Sequence, residues 1–174
     1  MITVYVWDSA AGGSSGVFWG VEGASVGHAA MEISGGEPAG VIYVSWWPRE
    51  DTFSGAIFGT PAHERRTLGQ EIDDEGGLAP AHSIRISGRG EGHAGNGLDE
   101  TAMKEWWREW QRDPTYRLAD RSCCTTIVRG LLAGHAEAYA GTTLEINTDA
   151  VVWSPSDVVA IANACVTGIA STRY

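Results

Sequence analysis

Apolar and polar residues alternate from the first positions of the chain. Ile2, Val4 and Val6 fall on one side and Thr3, Tyr5 and Trp7 on the other, which predicts an amphipathic strand. Ser9 to Gly16 is rich in glycine and serine and predicts a loop, either a plain connector or the rim of a site. Two further strands are expected from about Gly27 to Ile33 and from Val41 to Trp47. The turn-rich stretch Ser34 to Gly40 joins them into a hairpin with a long connection. Pro48 to Gly97 mixes glycine, proline and charge with little periodicity. It reads mostly as loop, apart from a strand at Ser83 to Ser87.

From Leu98 the period changes to that of a helix. Asp99 can cap its start, and Ala102, Met103, Trp106, Trp107 and Trp110 recur at helical spacing, so the tryptophans are assigned to core packing rather than to a ligand platform. The helix should end before Pro114 and be followed by a short extended piece, Thr115 to Leu118. A second helix is expected to begin at Ser122 or Cys123 and to stop at Gly134. A last one should start with Ser154 as cap, Pro155 in the first turn and Asp157 near the positive end of the dipole. At 174 residues the chain is long enough for one well-buried core and short for two, which predicts a single domain spanning residues 1–174.

The 174 residues carry a formal charge of -10, which argues against a nucleic-acid backbone or an anionic membrane as partner. No apolar run reaches the roughly 18 residues of a membrane helix, and no basic segment precedes the first apolar residues. The chain is therefore expected in the cytoplasm as synthesised, although export without a cleaved signal would leave no mark. The three cysteines, Cys123, Cys124 and Cys165, are an odd number and two are neighbours, which favours free thiols in a reduced compartment. The five histidines, at 28, 63, 82, 93 and 135, form no H-x-x-x-H pattern, and there is no C-x-x-C, so neither a structural zinc nor any other cofactor is expected.

The chemistry-bearing residues are a strand histidine, His28, and the thiols at a helix start. A helix N-terminus favours the thiolate, and an imidazole can take its proton, which is how thiol hydrolases generate a nucleophile near neutral pH. Cys165, among small apolar residues of the last helix, reads as a structural core residue. Positions three, four, seven and eight after Cys124 are Ile127, Val128, Leu131 and Leu132, all apolar. The same count from Cys123 gives the mixed set Thr126, Ile127, Gly130 and Leu131. This ranks Cys124 ahead of Cys123. Strand parity puts His28, Ala30 and Glu32 on one face and Ala29, Met31 and Ile33 on the other. An imidazole base also needs an orienting partner, and Tyr43, Ser45 and Glu32 remain open for that role.

Gly27-His28 leading a strand, the strand Ile42-Tyr43-Val44-Ser45-Trp46-Trp47-Pro48, and Cys124-Thr125-Thr126-Ile127-Val128 opening a helix resemble the circularly permuted papain-like fold. That group includes permuted NlpC-type amidases, relatives of lecithin:retinol acyltransferase and PPPDE-type isopeptidases. Together with Leu98-Asp99-Glu100 ahead of Trp106-Trp107, the order is most similar to uncharacterised bacterial toxin or effector domains of that superfamily. The resemblance implies an α+β fold with an antiparallel sheet packed against helices, Cys124 as nucleophile, His28 as general base and Ser45 as polar third member. It implies hydrolysis of a peptide, isopeptide or peptidoglycan-like amide in a protein or peptide-like substrate, with acyl transfer or a non-catalytic binding module as the alternatives. An immunity or other partner protein is the expectation that goes with a toxin domain. Cys123 stands where relatives often carry asparagine.

Overall fold

The computed structural model describes residues 1–8, 27–49, 53–90, 95–147 and 152–172. The glycine- and serine-rich stretch Ser9 to Gly16 lies outside the described residues. The fold is α+β. Strands β1 (Ile2–Trp7), β2 (His28–Ile33), β3 (Ile42–Val44) and β6 (His82–Ile86) form an antiparallel sheet in the order β3-β2-β1-β6. The alternation seen at the start of the chain does what it predicts. Ile2, Val4 and Val6 of β1 join Ala29, Met31 and Ile33 of β2 in the main core, while Trp7, Ala30 and Tyr43 form a second apolar cluster on the opposite face. Because Trp7 pairs with His28 across the ladder, the histidine begins its strand on that second face.

The main core is closed by α3 (Glu100–Trp110), α4 (Cys123–Ala133) and α7 (Pro155–Ser171), with two short helices, α5 (Glu137–Ala140) and α6 (Thr142–Asn147), between the last two. Each long helix begins where its cap is expected. Asp99 accepts from the Ala102 N–H and Ser122 from the Thr125 N–H, while Ser154 and Asp157 form a reciprocal capping box with Pro155 in the first turn. The tryptophans of α3 belong to the core, with Trp107 buried and Trp106 and Trp110 packed against it. Gly130 lets α4 approach closely, since a Cβ there would lie 2.9 Å from both Met31 Cε and the Trp106 ring. Gly134 ends α4 with φ at -83°, and the left-handed residue is the next one, His135, at φ 65°. Glycine is needed at 134 for space, because a Cβ would sit 2.7 Å from Met103 Sδ.

Two expectations are corrected. The strand expected from Val41 to Trp47 is broken. Ile42–Val44 stays in the main sheet, and β4 (Trp47–Pro48) joins a second, three-stranded sheet of order β4-β5-β7 with β5 (Thr60–His63) and β7 (Thr115–Tyr116). Trp46 drives the break by burying its ring edge-on against Trp107, 5.7 Å between centroids. The stretch from Pro48 to Gly97 also holds far more structure than its composition suggests, namely β5, α1 (Phe53–Phe58) and α2 (Leu68–Asp74). Helix α2 covers the second face of the sheet, with Leu68 and Ile72 packed on the Trp7, Ala30 and Tyr43 cluster.

Two cations, Lys104 buried and Arg121 partly buried, hold the connections in place. The Lys104 ammonium, fully buried, donates to the carbonyls of Gly36, Pro38 and Gly40 at 3.3, 2.7 and 2.7 Å, fastening the hairpin loop to α3. The Arg121 guanidinium lies 3.9 Å above the Trp110 ring and donates to the carbonyls of Trp110, Asp113 and Thr115, which fixes the approach to α4. Replacing Lys104 by methionine keeps the length of the side chain but leaves three carbonyls without their donor. The expected loss is on the order of 2–3 kcal/mol, read as a lower urea midpoint with unchanged m value; an unchanged midpoint contradicts this role for the ammonium.

Candidate active site

Three elements converge at the start of β2: the strand itself, α2 on its second face and the N-terminus of α4. His28 contributes an almost fully buried imidazole whose Nε2 lies 3.1 Å from Glu71 Oε2, an ion-pair contact off the ideal hydrogen-bond direction. Glu71 comes from α2, on the same helical face as Leu68 and Ile72, and is completely buried. The Trp47 indole N–H donates to Glu71 Oε2 at 2.7 Å, and the Ser45 hydroxyl also stabilises this carboxylate. On its thiol side His28 meets Cys123, to which it is hydrogen-bonded.

The structure therefore places the two sequence-ranked thiols differently. Cys123 is the one in contact with His28, and its sulfur also receives the Ala29 backbone N–H. Both thiols belong to the main core, and Cys124 interacts with the Cys123 thiol rather than with His28. Ser45 is fully buried and stands behind Glu71 rather than beside the imidazole, accepting from the Arg65 N–H at 3.2 Å. Of the other residues considered as partners for His28, Glu32 sits opposite Tyr43 on the hairpin, and Tyr43 lies in the second apolar cluster with no hydrogen-bond partner for its hydroxyl among the described residues. Cys165 is buried in the core, as its surroundings on α7 suggest.

The electrostatics follow from these contacts. The Cys124 thiol donates to Cys123 and lowers its pKa. Burial opposes this, and the His28 charge, a His28 hydrogen bond and the Ala29 N–H carry it well below the ordinary thiol value. Cys124 moves the other way, held neutral by its bond to Cys123 and by burial. For His28, burial alone disfavours the charge, but Glu71 and Cys123 outweigh it and push the pKa up to about 10. Glu71 is likewise opposed by burial and held below the usual carboxylate range by His28, Ser45 and Trp47. The favoured state is a thiolate, an imidazolium and a carboxylate in sequence. Tyr116, buried on β7, holds its hydroxyl against both the Cys123 sulfur and the Cys123 backbone N–H, and burial keeps it a neutral phenol.

Glu71 has no counterpart among the residues picked out from sequence. Its signal is a helix start at Thr67, whose side chain accepts from the Gln70 N–H, followed by a carboxylate on the apolar 68/72 face of α2. A carboxylate on a core-facing helical position is unexpected unless something charged waits for it. Among the described residues no group of three or more metal-ligating side chains is arranged to hold an ion, and no helix is long and apolar enough to cross a membrane.

Compared with models of protein families, residues 69–172 match the IcsB middle domain, and this span covers more than half of the chain. The chain belongs to the IcsB middle domain family. This is an effector-related bacterial domain, which supports the effector part of the sequence resemblance and does not speak for the permuted papain-like group. The IcsB match includes Glu71 and Cys123, and His28 precedes it. No curated protein and no solved structure gave a match.

The His28 pKa has a sign that can be measured. A group whose folded pKa is raised stabilises the fold fully below its ordinary value, here 6.5, and loses that contribution as the pH rises through the folded value of about 10. Cys123, held well below its ordinary thiol value of 9.0, gives up in the folded state the proton that His28 keeps, so the two contributions offset each other until the unfolded thiol ionises. The stability gap between wild type and His28→Phe, from urea unfolding, should therefore stay nearly level from about pH 7 to 8.5 and narrow as the pH rises from about 9 through the folded value of about 10. A gap that stays level or widens above about pH 9 contradicts a charged His28.

Proposed function

We propose that this chain is a cysteine-dependent enzyme of the effector-related IcsB middle domain family that attacks an amide carbonyl through Cys123. The observation that carries this reading is the contact series Cys123, His28, Glu71, a nucleophile beside a base that is itself oriented by a third group. Cys123 takes the role that sequence reasoning gave to Cys124, and Glu71 the role it gave to Ser45. With Nε2 facing Glu71, the other ring nitrogen, Nδ1, is left to exchange a proton with the thiol.

The steps balance without a cofactor. The Cys123 thiolate adds to the carbonyl carbon, and the oxygen becomes an oxyanion beside the Cys123 N–H at the start of α4 and the Tyr116 hydroxyl of β7. Protonated His28 then delivers its proton to the leaving amine, and a thioester to Cys123 remains. Neutral His28 removes a proton from the incoming water, hydroxide replaces the sulfur, and the carboxylic acid product departs. If an amine or alcohol takes the place of water, the same site performs acyl transfer. A protein or peptide-like substrate and an action of the bacterial effector or toxin type are the context we infer for this chemistry.

A small thiol-directed electrophile applied at pH 6 tests the assignment. It should label wild type and Cys124→Ser at Cys123 and spare Cys123→Ser, and labelling should slow at least about tenfold in His28→Ala, since one pKa unit is a tenfold change in thiolate. Labelling that persists in Cys123→Ser and disappears in Cys124→Ser overturns the assignment in favour of Cys124.

A further inference from the structure

We propose that Trp47 is a positioning residue that clamps His28 and Glu71 into one geometry. The inference rests on the reading of Cys123, His28 and Glu71 as the reacting set, and it assigns a task to a residue outside that set. The Trp47 ring is stacked on the His28 imidazole, 4.1 Å between centroids and 26° between planes. Its indole N–H simultaneously donates to Glu71 Oε2 at 2.7 Å, the same oxygen that faces His28 Nε2 at 3.1 Å. One rigid side chain thus touches both members of the imidazole and carboxylate pair.

The neighbouring indole shows that stacking alone does not produce this arrangement. Trp7 lies on His28 at 5.5 Å and 42°, but its N–H is spent on the Leu78 carbonyl at 2.8 Å. Glu71 Oε1 has no hydrogen-bond partner among the described residues, so the carboxylate is held largely through Oε2, and the Trp47 N–H fixes its rotation about that oxygen. The mounting is independent of His28. Trp47 belongs to β4 of the three-stranded sheet, paired with His63 of β5, whereas His28 belongs to the main sheet and Glu71 to α2. The clamp closes across three separately anchored elements. A stacked indole face also favours an imidazolium over a neutral ring.

The titratable and charged groups around His28 and Glu71 are Glu75 at the end of α2, Cys123 at the start of α4, Tyr43 of β3 and Arg65 ahead of α2, with Tyr116 of β7 facing Cys123. Glu75 is buried, and burial raises its pKa, while Glu71 is the carboxylate in direct contact with His28. Removing the indole N–H loosens Glu71, weakens its hold on the imidazolium and so weakens the thiolate.

The test is a pH titration of the intact chain followed by thiolate absorbance at 240 nm. Wild type should show a thiolate step well below the ordinary thiol range, absent in Cys123→Ser and shifted upward in His28→Ala; failure of this part would sink the underlying thiol and imidazole reading. Trp47→Phe keeps a ring for stacking and loses the N–H. Its step should move up by about one pH unit, a tenfold loss of thiolate below the transition, and Trp47→Leu, which loses ring and N–H, should move further. A Trp47→Phe step at the wild-type pH overturns the clamp while leaving the thiol and imidazole reading intact. Should the substitutions unfold the chain, the assigned Trp47 indole N–H resonance of wild type decides. It should shift with the same pH midpoint as the thiolate step, and an indole resonance indifferent to that step overturns the proposal.

Discussion

The site depends on one buried interaction, the ion pair between His28 and Glu71. Neither group has water to share its charge, since His28 is almost fully buried and Glu71 completely so. Charges taken out of water are tolerated only when paired and hydrogen-bonded, and a carboxylate placed among Leu68 and Ile72 on the second face of the sheet would be a defect without the imidazole above it. The pair in turn sets what Cys123 can be. An imidazolium held by Glu71 supplies the positive charge that a thiolate needs, and the α4 N-terminus and the Ala29 N–H add to it.

The fold brings these groups together through a division between the two faces of one sheet. The face carrying Val4, Met31 and Ile86 is closed by α3, α4 and α7 and supplies most of the core. The face carrying Trp7, Ala30 and Tyr43 receives the short α2 and the Trp47 ring of β4, and the helix brings the carboxylate. Cys123, at the first turn of a helix on the one face, reaches the imidazole at the start of a strand whose side chain belongs to the other. The Arg121 contacts to Trp110 and to three carbonyls fix the chain just before α4, so the position of the thiol is set by backbone packing rather than by a free loop.

Much of this was legible in the sequence, and the parts that were not have physical reasons. Periodicity located β1 and the hairpin, and periodicity with capping located α3, α4 and α7, which bury regular apolar stripes and begin after Asp99, Ser122 and Ser154. Parity put His28 on the correct face of β2. Helix α2 escaped because it is two turns long, lies in a stretch of mixed composition and interrupts its own apolar face with Glu71. The ranking of the thiols turned on which one faces inward. That criterion finds Cys124, but both thiols lie in the core, and contact with His28 falls to Cys123. Ser45 is the third member that the family resemblance implies, on the strand expected beside His28. The strand breaks there because Trp46 turns into the core, and Ser45 ends behind the carboxylate instead.

The most direct measurement is the protonation state of the His28 ring, read from its ring nitrogen shifts by NMR across the pH range in wild type, Cys123→Ala and Cys124→Ala. The account predicts an imidazolium that persists well above pH 7 in wild type and loses its proton at distinctly lower pH once the Cys123 thiolate is removed, with a smaller change in Cys124→Ala. A neutral ring at pH 7 in wild type, or a titration that responds to Cys124 and ignores Cys123, would contradict it.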